Sequence, residues 1–312
     1  MGQHQGQGTA KNHAWQERWF FDVGSATSRI RCNDLEIIEP TKVPIMKARF
    51  CEPAETVQWL RQVASLPKHS TWQNWLPVWQ TARVAVPSDA FPSDKEIVKK
   101  LYHQAGWPVV DIVTKAEAYA ALVSTFEMLQ PTSQSGIMVD IGAETTELVY
   151  LDHGQIQSAT TWYQGGAILT QMIRRMVSRD HGAEIDGLTA ERIKQTLVGL
   201  WSTQHAGKQQ HKQISVKGIA LTTGDAVDVV VTARQLFETY RKWYQEFLEK
   251  MHQTLLATSL QTSHELTSLP LWLTGGGSQL PGLVANVEVD LGLPIIQIKQ
   301  PHLTVLKGLT LL

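Results

Sequence analysis

The chain has 312 residues, 43% hydrophobic and 18% charged, an ordinary globular composition with length enough for two cores. A formal net charge of −1 excludes the broad basic field of a nucleic-acid binder. Two cysteines, Cys32 and Cys51, form no CxxC pair, which excludes a disulfide framework or structural zinc site and fits a reduced, cytoplasmic compartment.

Residues 1–15 are polar and glutamine-rich, lack the apolar stretch of a signal peptide, and are expected to be a disordered tail. No segment approaches the ~20 apolar residues of a membrane span. The first strand, Trp19–Phe21, ends in Asp22-Val23-Gly24-Ser25-Ala26-Thr27-Ser28, and short strands at Arg29–Cys32 and Leu35–Pro40 continue it as a meander. Val57, Leu60, Val63 and Leu66 mark a helix over 54–66. A tryptophan-bearing loop over 68–80 leads to a strand at Arg83–Pro87. Ser93, with Glu96 three residues on, predicts an N-cap and capping box for a helix running toward Gly106. A strand at Val109–Val113 and a helix at Ala116–Leu129 follow.

Pro131–Gly136 reads as a linker. Beyond it, Ile137–Val139 leads into Asp140-Ile141-Gly142-Ala143-Glu144-Thr145-Thr146, and strands follow at Leu148–Leu151 and Ile156–Thr160. Helices are expected at Gly166–Ser178 and Thr189–Leu200, then a soft segment at 202–212 and a short strand at Val229–Val231. The longest helix, Thr232–Leu260, carries Leu236, Tyr240, Trp243, Phe247, Met251 and Leu255 at core spacing. Leu271–Thr274 is a strand entering Gly275-Gly276-Gly277-Ser278, with a helix from about Pro281. A strand at Ile295–Ile298 and a closing helix at Thr304–Leu312 complete an α/β chain.

The segments from Phe20 and from Met138 share one design: two apolar residues, Asp, a β-branched residue, Gly, two variable residues, then Thr and a hydroxyl. Two matched hairpins imply a duplicated architecture. Glycine lets the backbone turn tightly and bring N–H groups to an anion, and the hydroxyls add donors. Aspartate repels phosphate but holds Mg²⁺ through water. Two such hairpins face to face grip a polyphosphate from both sides. The glycine run at 275–277 lies at the carboxyl end of a strand, where α/β sheets bind ligands.

These motifs resemble the actin and heat-shock-70 ATPase superfamily, and within it the bacterial actin MreB. Asp22–Ser28 is similar to DLGTANT of that family, Val139–Thr146 to VDIGGGTT, Gly165-Gly166 to its VGGD turn, Gly187–Lys194 to its TAERIK stretch, and Leu273–Leu280 to LTGGGSLL. The resemblance implies an actin-like (ribonuclease H-like) duplicated fold with two lobes around a nucleotide cleft. Lobe I would be 16–135, with the closing segment 301–312 returning to it. Lobe II would be 136–300, with a small subdomain at about 179–228. The stretch between Pro40 and Arg83 is short for the family, so subdomain IB is reduced.

By the same resemblance ATP or ADP would lie on Gly24, Ser25, Ala26 and Thr27, on Gly142, Ala143, Glu144 and Thr145, and on Gly165, Gly166, Gly275, Gly276 and Gly277. Glu191 and Lys194 would contact the adenosine. Mg²⁺ would be held through Asp22 and Asp140, with Asp94 and Asp140 serving slow hydrolysis. Glu144 stands where the family has Gly, and Asp94 aligns near its catalytic glutamate. Helix N-terminal stabilisation is an equal role for Asp94. Trp72, Trp75, Leu76 and Trp79 correspond to a membrane-inserting loop, and Trp15 and Trp19 would share its face. The implied function is a membrane-associated filament or scaffold at the inner face of the cell membrane, working with itself and with cell-wall synthesis or division proteins in cell shape. The alternative is a degenerate adaptor of the FtsA or PilM kind with weak or no ATP hydrolysis.

Overall fold

The computed structural model describes residues 16–33, 35–43, 45–46, 49–65, 79–125, 134–197, 212–263, 266 and 268–312. The tail 1–15 and the loop residues Trp72, Trp75 and Leu76 lie outside them, and Trp79 enters only through its backbone. In chain order the first part holds β1 (Gln16–Val23), β2 (Thr27–Cys32), β3 (Leu35–Pro40), β4 (Ile45–Met46), β5 (Arg49–Phe50), α1 (Pro53–Ala64), β6 (Trp79–Val86), α2 (Pro92–Ala105), β7 (Val109–Thr114) and α3 (Lys115–Val123). The second part holds β8 (Gly136–Ile141), β9 (Thr146–Asp152), β10 (Gln155–Trp162), α4 (Gly166–His181), β11 (Ala183–Glu184), α5 (Gly187–Leu197), β12 (Gln213–Ala220), β13 (Ala226–Thr232), α6 (Ala233–Thr262), β14 (Leu271–Thr274), α7 (Leu283–Leu291), β15 (Ile295–Gln297) and α8 (Thr304–Leu311).

The duplication read from the hairpins extends to whole sheets. One sheet runs β3-β2-β1-β6-β7 and the other β10-β9-β8-β14-β15. Each is an antiparallel three-stranded meander whose first strand also pairs in parallel with a later one. The first strand is therefore central in both; β8 is buried on both faces and in β1 Phe20 is half-buried between the buried Trp19 and Phe21, which is why Trp19-Phe20-Phe21 and Ile137-Met138-Val139 are continuous apolar runs.

Each sheet has its own core. Trp19 stacks on Phe21 and meets Trp107 edge-on at 5.8 Å, while Phe21 meets Tyr102 at 4.9 Å. Trp19 is fully buried, so it belongs to this core and shares no face with a membrane loop. In the second core Leu236, Tyr240, Trp243, Phe247 and Met251 of α6 pack where their spacing puts them. A third cluster, with Tyr119, Val123, Met138, Val149, Trp272, Val305 and Leu309, joins the two sheets through α3 and α8.

Three local expectations change. Phe91, not Ser93, is the N-cap of α2, without a side-chain cap bond, because Pro92 takes the first turn, where its missing N–H costs nothing. Capping boxes stand instead at α3, between Thr114 and Glu117, and at α6, between Thr232 and Gln235. The strand β12 went unread in Gln213–Ala220, although its burial alternates as a half-exposed strand should, and it pairs with β13 across seven residues. The helix after the glycine run starts at Leu283, and Gly276–Gln279 forms a 3₁₀ turn. In α1 the buried face includes Thr56 and Trp59 beside Leu60 and Val63.

Where α8 crosses α3, a Cβ on Gly308 would run into the Ala118 carbonyl. Gly308→Ala should destabilise the protein by about 1–3 kcal/mol, read as a lower urea midpoint at unchanged slope. An unchanged midpoint would mean that the two helices are not held this closely.

Candidate functional site

The two hairpins close in the same way. The Gly24 N–H donates to the Thr27 carbonyl at 3.2 Å, and the Gly142 N–H to the Thr145 carbonyl at 2.8 Å. Each is then clamped from behind. The Thr41 hydroxyl donates to the Gly24 carbonyl at 2.6 Å. The first N–H groups of α4, from Gly166 and Ala167, donate to the carbonyls of Gly142 and Ala143 at 3.0 and 2.7 Å. Two of the orphan donors at that helix start are thereby used up. Gly165 sits so close to the Ala143 carbonyl that a Cβ would collide with it.

Both hairpins line one cavity of about 800 Å³, within the size range of small-molecule sites. From the first it is lined by Asp22, Gly24, Ser25, Ala26 and Thr27, and from the second by Asp140, Gly142, Ala143, Glu144 and Thr145. Gly275, Gly276 and Gly277 form a third wall. Gly275 takes a φ of +81°, and a Cβ there would strike the Asp140 carboxylate and the Ile141 carbonyl, so only glycine brings this wall so near the second hairpin.

The far end is made by α4 and α5. Lys194, buried, pairs with Glu191 at 2.7 Å and donates to the Gly166 carbonyl at 3.2 Å and the Thr170 hydroxyl at 3.1 Å. Burial pushes the Glu191 carboxyl up, but hydrogen bonds from Lys194, Thr170 and Gln195 outweigh it and hold the group below its ordinary range.

At the hairpin end the carboxylates are met by side-chain cations. In the β ladder Arg29 stands directly opposite Asp22, with its guanidinium 3.5 Å from the carboxylate. Glu147 stands directly opposite Asp140, both buried. Like charges opposed in this way are destabilising unless neutralised. Lys115, from the start of α3, lies 3.2 Å from Asp140 and 3.0 Å from Glu147. Tyr119, one turn on, donates to the same Asp140 oxygen at 2.6 Å. The backbone N–H and hydroxyl of Ser88 donate to Glu147 at 3.1 and 2.6 Å. Burial alone would favour neutral Lys115, yet Glu147, Asp140 and Asp22 together raise its ammonium above its ordinary range. Burial likewise raises Asp22 and Glu147 against the opposing pull of the cations.

The description "MreB/Mbl protein" fits residues 56–312 of the chain. The chain belongs to the MreB/Mbl family. The cell shape-determining protein Mbl of Bacillus subtilis (strain 168) is 22% identical over 218 residues, 70% of this chain and 63% of that protein. The chain thus spans less than two thirds of the length of the curated relatives it matches. Among solved structures, MreB5 of Spiroplasma citri bound to ADP superposes with a TM-score of 0.79 at 14% identity, covering 95% of each chain. The MamK double helical filament gives 0.69 at 14% identity, covering 93% of this chain and 97% of that one. These superpositions give the chain the actin-like fold expected from its motifs.

Not every residue expected at the site of this MreB/Mbl chain reaches the cavity. Asp94 lies in the first turn of α2 and is not among the lining residues. Its negative charge favours the helix N-terminus, the structural role open to it from the sequence. Gly165 supports the second hairpin from behind and is not a lining residue either. Conversely, sequence reasoning missed Arg29, Lys115, Tyr119, Glu147 and Ser88. The signal available for Lys115 was its place at the carboxyl end of a parallel strand, where α/β folds put functional groups. Glu147 sits in an apolar strand, where an acidic residue needs a partner.

The fit of a divalent cation can be tested on these contacts. Asp140 already answers an ammonium and a phenol, and Asp22 faces a guanidinium. The cluster does not fit a Mg²⁺ ion held between the two aspartates.

Lys115→Met leaves Asp140 and Glu147 facing each other without their cation and should cost about 3–5 kcal/mol in urea denaturation. Adding Glu147→Gln should recover part of that loss. Since folding raises the Lys115 value above its ordinary 10.5, its contribution is full below that pH and is lost as the pH rises through the folded value. A Lys115→Met variant as stable as the parent would refute the buried ion pairs.

Proposed function

We propose that this chain binds an adenine nucleotide between its two hairpins and works as a cell-shape protein that associates with further copies of itself. The observation that carries the reading is the pair of equivalent glycine turns lining one cavity of about 800 Å³. Their backbone N–H groups suit phosphate oxygens. The end formed by Glu191 and Lys194 suits the sugar and base. Family membership supports the same assignment, as does the ADP complex of the similar MreB5. Self-association draws on the filament of the similarly folded MamK, and the cell-shape role on the similarity to the cell shape-determining protein Mbl.

Placement at the inner face of the cell membrane, through Trp72, Trp75, Leu76 and Trp79, belongs to the same reading and rests on the preference of tryptophan for the membrane–water interface. Cell-wall synthesis or division proteins are the partners that such a scaffold would serve. No helix among the described residues is long and apolar enough to cross a membrane.

A second reading has specific support. Asp94 lies away from the cavity lining, and Asp140 is engaged by Lys115 and Tyr119, an arrangement poorly suited to activating water. An adaptor that holds nucleotide with weak or no hydrolysis follows from it. Pelleting with ATP separates the two: a filament former sediments, and an adaptor stays in the supernatant.

Titration with a fluorescent ADP analogue should saturate and be reversed by unlabelled ADP. Glu191→Ala should weaken it by ~10-fold, or about 1.4 kcal/mol, and should lower the thermal midpoint because the buried Lys194 loses its carboxylate partner. The absence of saturable binding at millimolar nucleotide would remove the assignment.

A further inference from the structure

The three buried carboxylates at the hairpin end, Asp22, Asp140 and Glu147, are accompanied by two side-chain cations, Arg29 and Lys115. The two positive charges are outnumbered by the three carboxylates, but burial raises Asp22 and Glu147 toward their neutral forms, which leaves the cations less fully spent. Both cations line the cavity beside the two glycine turns. Both come from positions the fold fixes: Arg29 from the ladder position opposite Asp22, and Lys115 from the first turn of α3 at the end of β7. Arg29 bonds the Asp22 carboxylate and the Thr27 carbonyl through Nη1 alone, so its Nη2, beside Gly276 of the third wall, keeps unused donors. Lys115 spends its ion pairs on Asp140 and Glu147, and an ammonium has three protons to give.

We propose that Arg29 and Lys115 take the place of Mg²⁺, so that this chain holds the polyphosphate of its nucleotide without a divalent cation. The inference rests on the nucleotide reading of the cleft and adds how the charge is balanced there. A Mg²⁺ ion brought between Asp22 and Asp140 would sit beside the ammonium of Lys115 and the guanidinium of Arg29, which repel it. A phosphate chain between the glycine turns instead meets two cations already desolvated and held in place. These contacts are preorganised, so no ion need be recruited with the ligand.

The test uses the whole chain and a fluorescent ADP analogue, titrated once in excess EDTA and once in millimolar MgCl₂. The expected result is saturable binding in both, with dissociation constants within about twofold of each other. Tightening by ~10-fold or more with Mg²⁺ overturns the proposal. A double variant, Lys115→Met with Glu147→Gln, removes the cation together with one of its carboxylates, and its circular dichroism reports whether it remains folded. Folded, it should lose ~10-fold or more of its affinity in EDTA and regain part of it with Mg²⁺. Undiminished affinity of the folded double variant in EDTA also overturns the proposal. Failure of the parent chain to bind in either buffer sinks the nucleotide reading and this inference with it, whereas binding only with Mg²⁺ sinks the inference alone.

Discussion

Two carboxylates facing each other across a buried β ladder cannot stand without a cation, and the structure is arranged around the one that serves them. Asp140 and Glu147 are neighbours on the central hairpin of the second sheet, and Lys115, which neutralises both, belongs to the helix that follows the last strand of the first sheet. Ser88 and Tyr119 reach the same carboxylates from the first part of the chain. The charge requirement of one half is therefore met by the other. An apolar cluster of residues from α3, α8, β8 and β9 lies on one side of this junction, and the cavity lies on the other.

That junction also fixes the cleft. Lys115 ties the strand end at Thr114 to the second hairpin through Asp140 and Glu147. Gly275 carries the third wall against Asp140 at a distance that any side chain would prevent. The first N–H groups of α4 lock the second hairpin, and Lys194 locks the first turn of α4 to α5. The cavity is thus bounded by elements that brace one another, as a preorganised binding site requires.

Much of this was legible in the sequence because the period and punctuation are strong. The paired Asp-x-Gly hairpins predicted the duplicated sheets, since a strand, a tight turn and a second strand leave few other topologies. The spacing of Leu236, Tyr240, Trp243, Phe247 and Met251 specified α6 and its buried face. Glycine pattern and neighbouring strands pointed to Gly24, Gly142 and Gly275–Gly277, all of which line the one cavity. Where local signals competed, the reading failed. Ser93 and Glu96 carry a capping signature, but Pro92 sets the helix start two residues earlier. The modest strand β12 was hidden because Ser, Lys and Gly interrupt its apolar positions, and pairing with β13 supplies what its own propensity lacks.

The sequence by itself determined the α/β class, the two glycine hairpins and their repeat, because these depend on backbone freedom and on residues adjacent in the chain. Only the tertiary structure decided which charges meet. Arg29 is seven residues from Asp22 and Lys115 is 25 residues from Asp140, and nothing in their local spacing sets one against the other. Strand register puts Arg29 opposite Asp22, and the packing of α3 delivers Lys115 to Asp140 and Glu147. Electrostatic partnership depends on distance and burial in space, which strand pairing supplies for Arg29 and the docking of the two sheets supplies for Lys115.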